Sequence, residues 1–242
     1  MVDATTCWAR ITGGCSSKMS KEHVFTKSLF DKRVQVKALN VPLTDTTPRW
    51  LRSQQFDIPI RNCYANILCE AHNNILGRGP DRAAKQVMRA MLRFREPLKY
   101  PGSDILRPPK PVQICGVTYG QWLCKTHCNI MAAAGVKPED IFVFYAFGRH
   151  IERKLYFYMP AHVRLSPSIA KGHVHYEQFC DTAGATVAFT IALAGLTTLV
   201  STIAIDELAR EIVEFSMINW IERISYIQMR TALGTYEILF NW

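Results

Sequence analysis

The chain opens with neither a basic stretch nor an apolar run. Met1-Val2-Asp3-Ala4-Thr5-Thr6 has no part of a secretory signal. Without an export signal, the eight cysteines are expected to be reduced thiols or metal ligands, not a disulfide framework, and the expected compartment is the cytoplasm. Acidic residues are scarce: 20 against 29 lysines and arginines, a formal net charge of +9. That imbalance favours a polyanionic partner on electrostatic grounds and says nothing about fold. Charged residues at 20% and hydrophobic ones at 48% exclude a disordered chain. With 242 residues there is room for one large domain or two modest ones.

One segment lacks charge altogether. Thr182 to Ile205 has no Asp, Glu, Lys or Arg and is long enough to cross a bilayer, which takes about 20 residues. Its period argues against a span. Val187, Phe189, Ile191 and Leu193 alternate with Ala188, Thr190, Ala192 and Ala194, as in a strand. Ala194-Gly195-Leu196 is a turn, and Leu199, Ser201 and Ile203 run back as a second strand. Neither end carries a lysine or arginine to set orientation. No membrane partner is expected.

Pro97, Pro101, Pro108, Pro109 and Pro111 interrupt the chain between Glu96 and Val112. Such a run continues neither a helix nor a central strand. It divides the sequence into a first domain over 1–98, a linker over 99–111 and a second domain over 112–242. In the first, Arg33–Leu39 and Phe56–Ile60 are expected strands, Asn40–Gln55 is mostly loop, and Asp81 caps a helix running to Arg95. In the second, a helix over Gly120–Ala134 precedes strands at Ile141–Phe147 and Leu155–Met159. The uncharged hairpin, a helix over Asp206–Ile221 and a closing hairpin over Tyr226–Arg230 and Tyr236–Phe240 follow. The pattern is α+β.

Two short segments carry chemistry. Ser20-Lys21-Glu22-His23-Val24-Phe25 sets a carboxylate directly before a histidine. Ile67-Leu68-Cys69-Glu70-Ala71-His72-Asn73-Asn74 sets a Cys-x2-His pair directly before an asparagine. Cys69 and His72 have the spacing of a zinc knuckle, in which one turn presents two ligands to a tetrahedral ion. Cys7 and Cys15 are the only cysteines before His23 that can complete four ligands, with Gly13-Gly14 to fold the loop back. The alternative is a set of free or buried thiols. A histidine near neutral pKa suits activation of water, and oxygen ligands suit a hard divalent cation. Adjacent residues of a strand face opposite ways; at a strand end or bulge Glu22 and His23 can both reach one site.

The helix after Asp81 is segregated. At about 100° per residue, Arg82, Lys85, Arg89 and Arg93 fall within an arc of roughly 80°, opposite Ala83, Val87, Met91 and Phe94. Cations on one stripe match a run of phosphates, and Arg78 extends the stripe. Leu123-Cys124-Lys125-Thr126-His127-Cys128-Asn129 echoes Leu68 to Asn73 but sits in a helical pattern and reads as packing. His162, His173 and His175 read as solvated loop histidines.

Together the acid–histidine dipeptide and the Cys-x2-His-Asn segment resemble the HNH (ββα-metal) nucleases over residues 1 to about 95. The resemblance implies a zinc-stabilised ββα-metal domain that hydrolyses DNA phosphodiester bonds and leaves a 5′-phosphate and a 3′-hydroxyl. Glu22 and Asn73 would bind a catalytic Mg2+ or similar cation, and His23 would be the general base. Asn62 would be the middle asparagine, with Asn66 as its alternative. Zn2+ would be held by Cys7, Cys15, Cys69 and His72, where the family has Cys-x2-Cys for the early pair. Asp81 corresponds to the last position of a Ser-Pro-x-Asp element, and Trp122 to Thr126 resembles a segment that follows the HNH region in some bacterial relatives. DNA is the implied partner, with RNA left open, and the second domain is assigned recognition, homodimerisation or regulation. The alternative is a zinc-stabilised nucleic-acid-binding protein without catalysis.

Overall fold

The computed structural model describes residues 6–52, 56–99, 110–149, 152, 154–160, 172–211, 218–231 and 234–242, without the side chains of 56, 93–99, 211, 229–231 and 234–236. Its elements run β1 (Met19–His23), β2 (Arg33–Leu39), α1 (Arg49–Arg52), β3 (Phe56–Pro59), β4 (Tyr64–Cys69), α2 (Glu70–Arg78), α3 (Pro80–Lys99), β5 (Val112–Cys115), α4 (Gly116–Ala133) and α5 (Asp140–Ala146). They continue with β6 (Tyr156–Pro160), β7 (His173–Cys180), β8 (Thr186–Leu193), β9 (Leu196–Ser201), α6 (Ile205–Glu211), β10 (Trp220–Glu222), β11 (Tyr226–Thr231) and β12 (Gly234–Asn241). The class is mixed α+β with largely antiparallel sheets.

Three sheets form. β1 and β4 make an antiparallel pair that leads directly into α2. A seven-stranded sheet has the order β10-β6-β9-β8-β7-β2-β3, and a three-stranded one β11-β12-β5. β2 joins the large sheet parallel to β7, with Val36 opposite Val174 and Ala38 opposite Tyr176. Strands from both sides of the proline-rich stretch therefore share one sheet. One continuous hydrophobic cluster also takes in Phe25, Leu68, Met91, Trp122, Phe189 and Phe240. Of the expected linker, residues 100–109 lie outside the described residues.

The uncharged segment is β8 and β9, a hairpin inside the large sheet. Ala194 (φ 50°) and Gly195 (φ 89°) both take positive φ, the geometry of a two-residue hairpin turn matched to strand twist. Among the described residues no helix is long and apolar enough to cross a membrane. β2 buries Val34, Val36 and Ala38 and exposes Arg33 and Lys37, the alternation expected of a strand with one covered face.

Several elements differ from expectation. Ile141 to Phe147 is not a strand: Asp140–Ala146 is helical and buries Phe142, Val143 and Ala146. A short apolar run has no decisive period, and an acid in the first turn suits a helix N-terminus. Trp220 and Ile221 leave the expected helix and pair with β6; residues 212–217 lie outside the described residues. His173 and His175 are in β7, not a loop, and His162 lies outside the described residues. Pro80 occupies the first position of α3 and Asp81 its first turn. Proline fits there because its missing N–H has no intrahelical partner to lose.

Candidate metal centre and the adjoining carboxylate seam

The zinc-type ligands converge. The ligand atoms of Cys7, Cys15, Cys69 and His72 lie within 4.8 Å of one another. His72 Nδ1 is 3.3 Å from Cys7 Sγ, 3.6 Å from Cys15 Sγ and 3.2 Å from Cys69 Sγ. A tetrahedral ion with S at about 2.3 Å and N at about 2.0 Å separates them by roughly 3.5 Å, so the donor set fits zinc. Cys69 ends β4 and His72 sits in the first turn of α2, which fixes that pair. A 3-10 turn over Arg10–Thr12, then Gly13 (φ 74°) and Gly14 (φ 72°), folds the early loop back so that Cys15 meets Cys7. Glycine tolerates that left-handed backbone.

The surroundings of the ligands are also ordered. His72 Nε2 is 2.8 Å from the Gly13 carbonyl and 3.0 Å from Thr12 Oγ1. A proton on Nε2 leaves Nδ1 as the lone-pair donor, the orientation typical of ligating histidines. Burial pushes the Cys7 thiol up to about 12 and also raises Cys15. Burial pushes Cys69 up as well, but N–H groups of His72 and Ser16 and the Ser16 hydroxyl outweigh it and bring the thiol down to about 6. Phe147 lies edge-on to the His72 ring at 5.1 Å, and the Arg149 guanidinium donates to the Thr12 carbonyl. The end of α5 thus braces the loop.

Asn73 directly follows His72 on α2. Its Nδ2 donates to Ser20 Oγ at 3.1 Å, and Ser20 Oγ donates to the Leu68 carbonyl at 3.0 Å. This ties the helix to β1 two residues before Glu22. Asn74 is exposed. One turn beyond Asn73, a Cβ on Gly77 would lie 3.9 Å from Asp81 Oδ2, so this side of α2 faces the start of α3.

Glu22 is buried, 6% exposed. Its Oε1 lies 2.9 Å from Lys125 Nζ, and that ammonium also reaches both Asp81 oxygens at 3.0 Å. Asn129 Nδ2 adds a longer contact to Glu22 Oε1 at 3.4 Å. Burial pushes the Glu22 carboxyl above the usual carboxylate value, and Lys125 offsets this only in part. Burial pulls the Lys125 ammonium down, and Glu22 and Asp81 more than offset that. The segment read as packing therefore supplies a cation to this seam. Cys124 and Cys128 on the same helix are buried thiols.

His23 is the last residue of β1 and pairs with Tyr64. Its ring is 6.5 Å from the Tyr64 ring. Between Ser20 and Glu22 the register slips, so Asn66 and Ile67 of β4 together oppose Lys21 in a bulge. His23 Nε2 is buried without a hydrogen-bond partner among the described residues. Burial first, then Lys27 and Lys125, hold its pKa below the usual histidine value, so the ring is neutral at pH 7. Asn62 is exposed in the 3-10 turn over Ile60–Asn62 and makes no hydrogen bond to His23 among the described residues.

On α3, Arg82 and Arg89 are exposed and Lys85 half-buried, with Arg78 exposed at the end of α2. Ala83, Val87 and Met91 are buried. The side chain of Arg93 lies outside the described residues. Lys125 was missed as a site residue, although it is the only charged residue between Gly116 and Ala133. A lone charge in an otherwise uncharged helix is the signal that could have found it.

Comparisons with protein-family models, curated proteins and solved structures find no match.

Proposed function

We propose that the chain is a metal-dependent HNH endonuclease that hydrolyses DNA phosphodiester bonds. The observation that carries this reading is the Asn73–Ser20 hydrogen bond. It joins the residue just past the last zinc-type ligand to the strand that carries Glu22 and His23. A strand pair running straight into a helix, with a Cys3His cluster at the junction, supports this reading.

The carboxylate of Glu22 and the amide oxygen of Asn73 are hard donors and suit Mg2+ or a similar ion. Such a cation, when bound, stabilises charge on the scissile phosphate and leaving oxygen. His23 accepts the proton of the attacking water; its depressed pKa keeps the ring in the receptive form at neutral pH. Arg78, Arg82, Lys85 and Arg89 hold backbone phosphates.

A second reading is favoured by one observation. Glu22 already has a buried cation, Lys125, at 2.9 Å. A carboxylate satisfied in this way suits a zinc-stabilised nucleic-acid-binding protein without catalysis. A plasmid-nicking assay with Mg2+ or Mn2+ separates the two. The endonuclease reading expects wild type to relax supercoiled DNA and His23→Ala to lose the activity. No cutting by zinc-loaded wild type favours the binding protein, and full cutting by His23→Ala removes the assigned base.

A further inference from the structure

Lys125 is 2% exposed and brings one positive charge between two carboxylates. Two hydrogen-bond chains run into this cluster, each begun by an indole N–H, which can only donate. Trp8 Nε1 donates to Asn129 Oδ1 at 2.9 Å, which leaves the amide Nδ2 to face Glu22 Oε1 at 3.4 Å together with the His23 and Val24 carbonyls at 3.5 and 3.4 Å. Trp122 Nε1 donates to Thr26 Oγ1 at 2.9 Å, so the Thr26 hydroxyl donates onward to Asp81 Oδ1 at 2.7 Å. Each chain therefore has one direction, and both carboxylates meet donors only.

The same logic orients the neighbouring amide. The Ser20 hydroxyl is committed to the Leu68 carbonyl and takes Asn73 Nδ2 as its donor, which turns Asn73 Oδ1 the other way. On Glu22, Lys125 and Asn129 both engage Oε1. One oxygen of each proposed cation ligand is thus set apart by its neighbours.

We propose that Lys125, held in place by Asp81, is a positioning residue that fixes Glu22 through Oε1 and turns the other carboxylate oxygen to the cation of the cleavage site. This rests on the endonuclease reading. It also gives a helix beyond the proline-rich stretch a part in the cleavage site that nothing in the resemblance assigns. Asp81 is then the counter-charge that keeps the ammonium in a dry site, not a ligand of the cation. Groups around a metal site typically change affinity by 10–100-fold when removed.

The test uses full-length zinc-loaded protein and Mn2+ binding measured from the electron paramagnetic resonance signal of the free ion. Lys125→Met combined with Asp81→Asn removes one charge of each sign and leaves the local net charge unchanged. The proposal expects wild type to bind Mn2+, Glu22→Gln to lose that binding, and the double variant to bind at least about tenfold more weakly with its zinc retained. Unchanged affinity makes Lys125 a packing residue, and tighter binding makes it a competitor of the cation; either overturns the proposal. Wild type that takes up no Mn2+ through Glu22 overturns the endonuclease reading itself, and the positioning role falls with it.

Wild-type protein gives an independent readout where the double variant loses its zinc. A buried lysine ammonium gives a slowly exchanging 1H–15N signal. On adding Mg2+ the Lys125 signal is expected to shift and persist. Its disappearance, or no shift at all, contradicts a Lys125 that holds Glu22 while the cation is bound.

Discussion

Lys125 Nζ lies 2.9 Å from Glu22 Oε1, joining a helix beyond the proline-rich stretch to the first strand of the chain. The pair is buried on both sides, and Asp81 completes it. Two carboxylates left together without their ammonium repel each other and lose the charge that compensates their burial. Lys125→Ala is therefore expected to lower unfolding stability by about 3–5 kcal/mol, read by chemical denaturation with zinc present. A loss below about 1 kcal/mol, the scale of an exposed pair, contradicts the buried bracket.

The Cys3His cluster predicts one tightly held zinc per chain. Metal held in this way contributes on the order of 10 kcal/mol to folding. Chelation is thus expected to unfold the β1–β4–α2 unit and not merely slow an activity. Cys69→Ser and His72→Ala should each lower zinc content and melting temperature together, measured by elemental analysis and circular dichroism. Protein that stays folded and zinc-free shows that the four residues only pack.

A third expectation concerns pH. Glu139 Oε1 accepts the Thr186 N–H at 2.8 Å, and its Oε2 is 3.5 Å from His127 Nε2, too long for a full hydrogen bond. Burial pushes Glu139 up, but His127 and Thr186 outweigh it and hold the carboxyl at about 2. Burial holds His127 below its usual value. Both folded-state pKa values are depressed, so both contributions are present above the unfolded values near 6.5 and 4.5. They are lost as pH falls towards the folded values. Stability should decline from about pH 6.5 downward, and Glu139→Gln should remove the part below about pH 4.5, on the order of 2–3 kcal/mol. Urea unfolding across pH 3–7 checks this, and equal slopes in variant and wild type contradict it.

DNA binding supplies a fourth. Arg82 and Arg89 are exposed, Lys85 is half-buried, and none of them is ion-paired among the described residues. Each phosphate contact adds about 0.9 to the salt slope for duplex DNA. Replacing all three with alanine should flatten that slope by up to about 3, with zinc content unchanged. An unaltered slope moves the DNA surface elsewhere.

How far the sequence foretold this arrangement differs from residue to residue. The zinc-type set was legible because Cys69 and His72 have a spacing that only a turn explains, and Gly13-Gly14 marked where the early loop reverses. The hairpin over β8 and β9 was legible from its period of two. Asp140–Ala146 was not, because Ile141-Phe142-Val143-Phe144-Tyr145 is apolar at every position and suits strand or helix equally. Lys125 was hidden by its surroundings: a cysteine- and histidine-bearing helix drew attention to its thiols. Its partners Glu22 and Asp81 are brought to it only by tertiary folding. The sharing of a sheet between β2 and β7 was likewise invisible, since proline spacing reports local chain direction and not which strands later pair.

The most direct test of the account is a crystal structure of zinc-loaded protein soaked in Mn2+, with anomalous data at the zinc and manganese edges. Zinc is expected among Cys7, Cys15, Cys69 and His72, and manganese on Glu22 and Asn73 with Lys125 still on Glu22. Zinc alone, with Glu22 bonded only to Lys125 and Asn129 and no manganese beside Asn73, contradicts it.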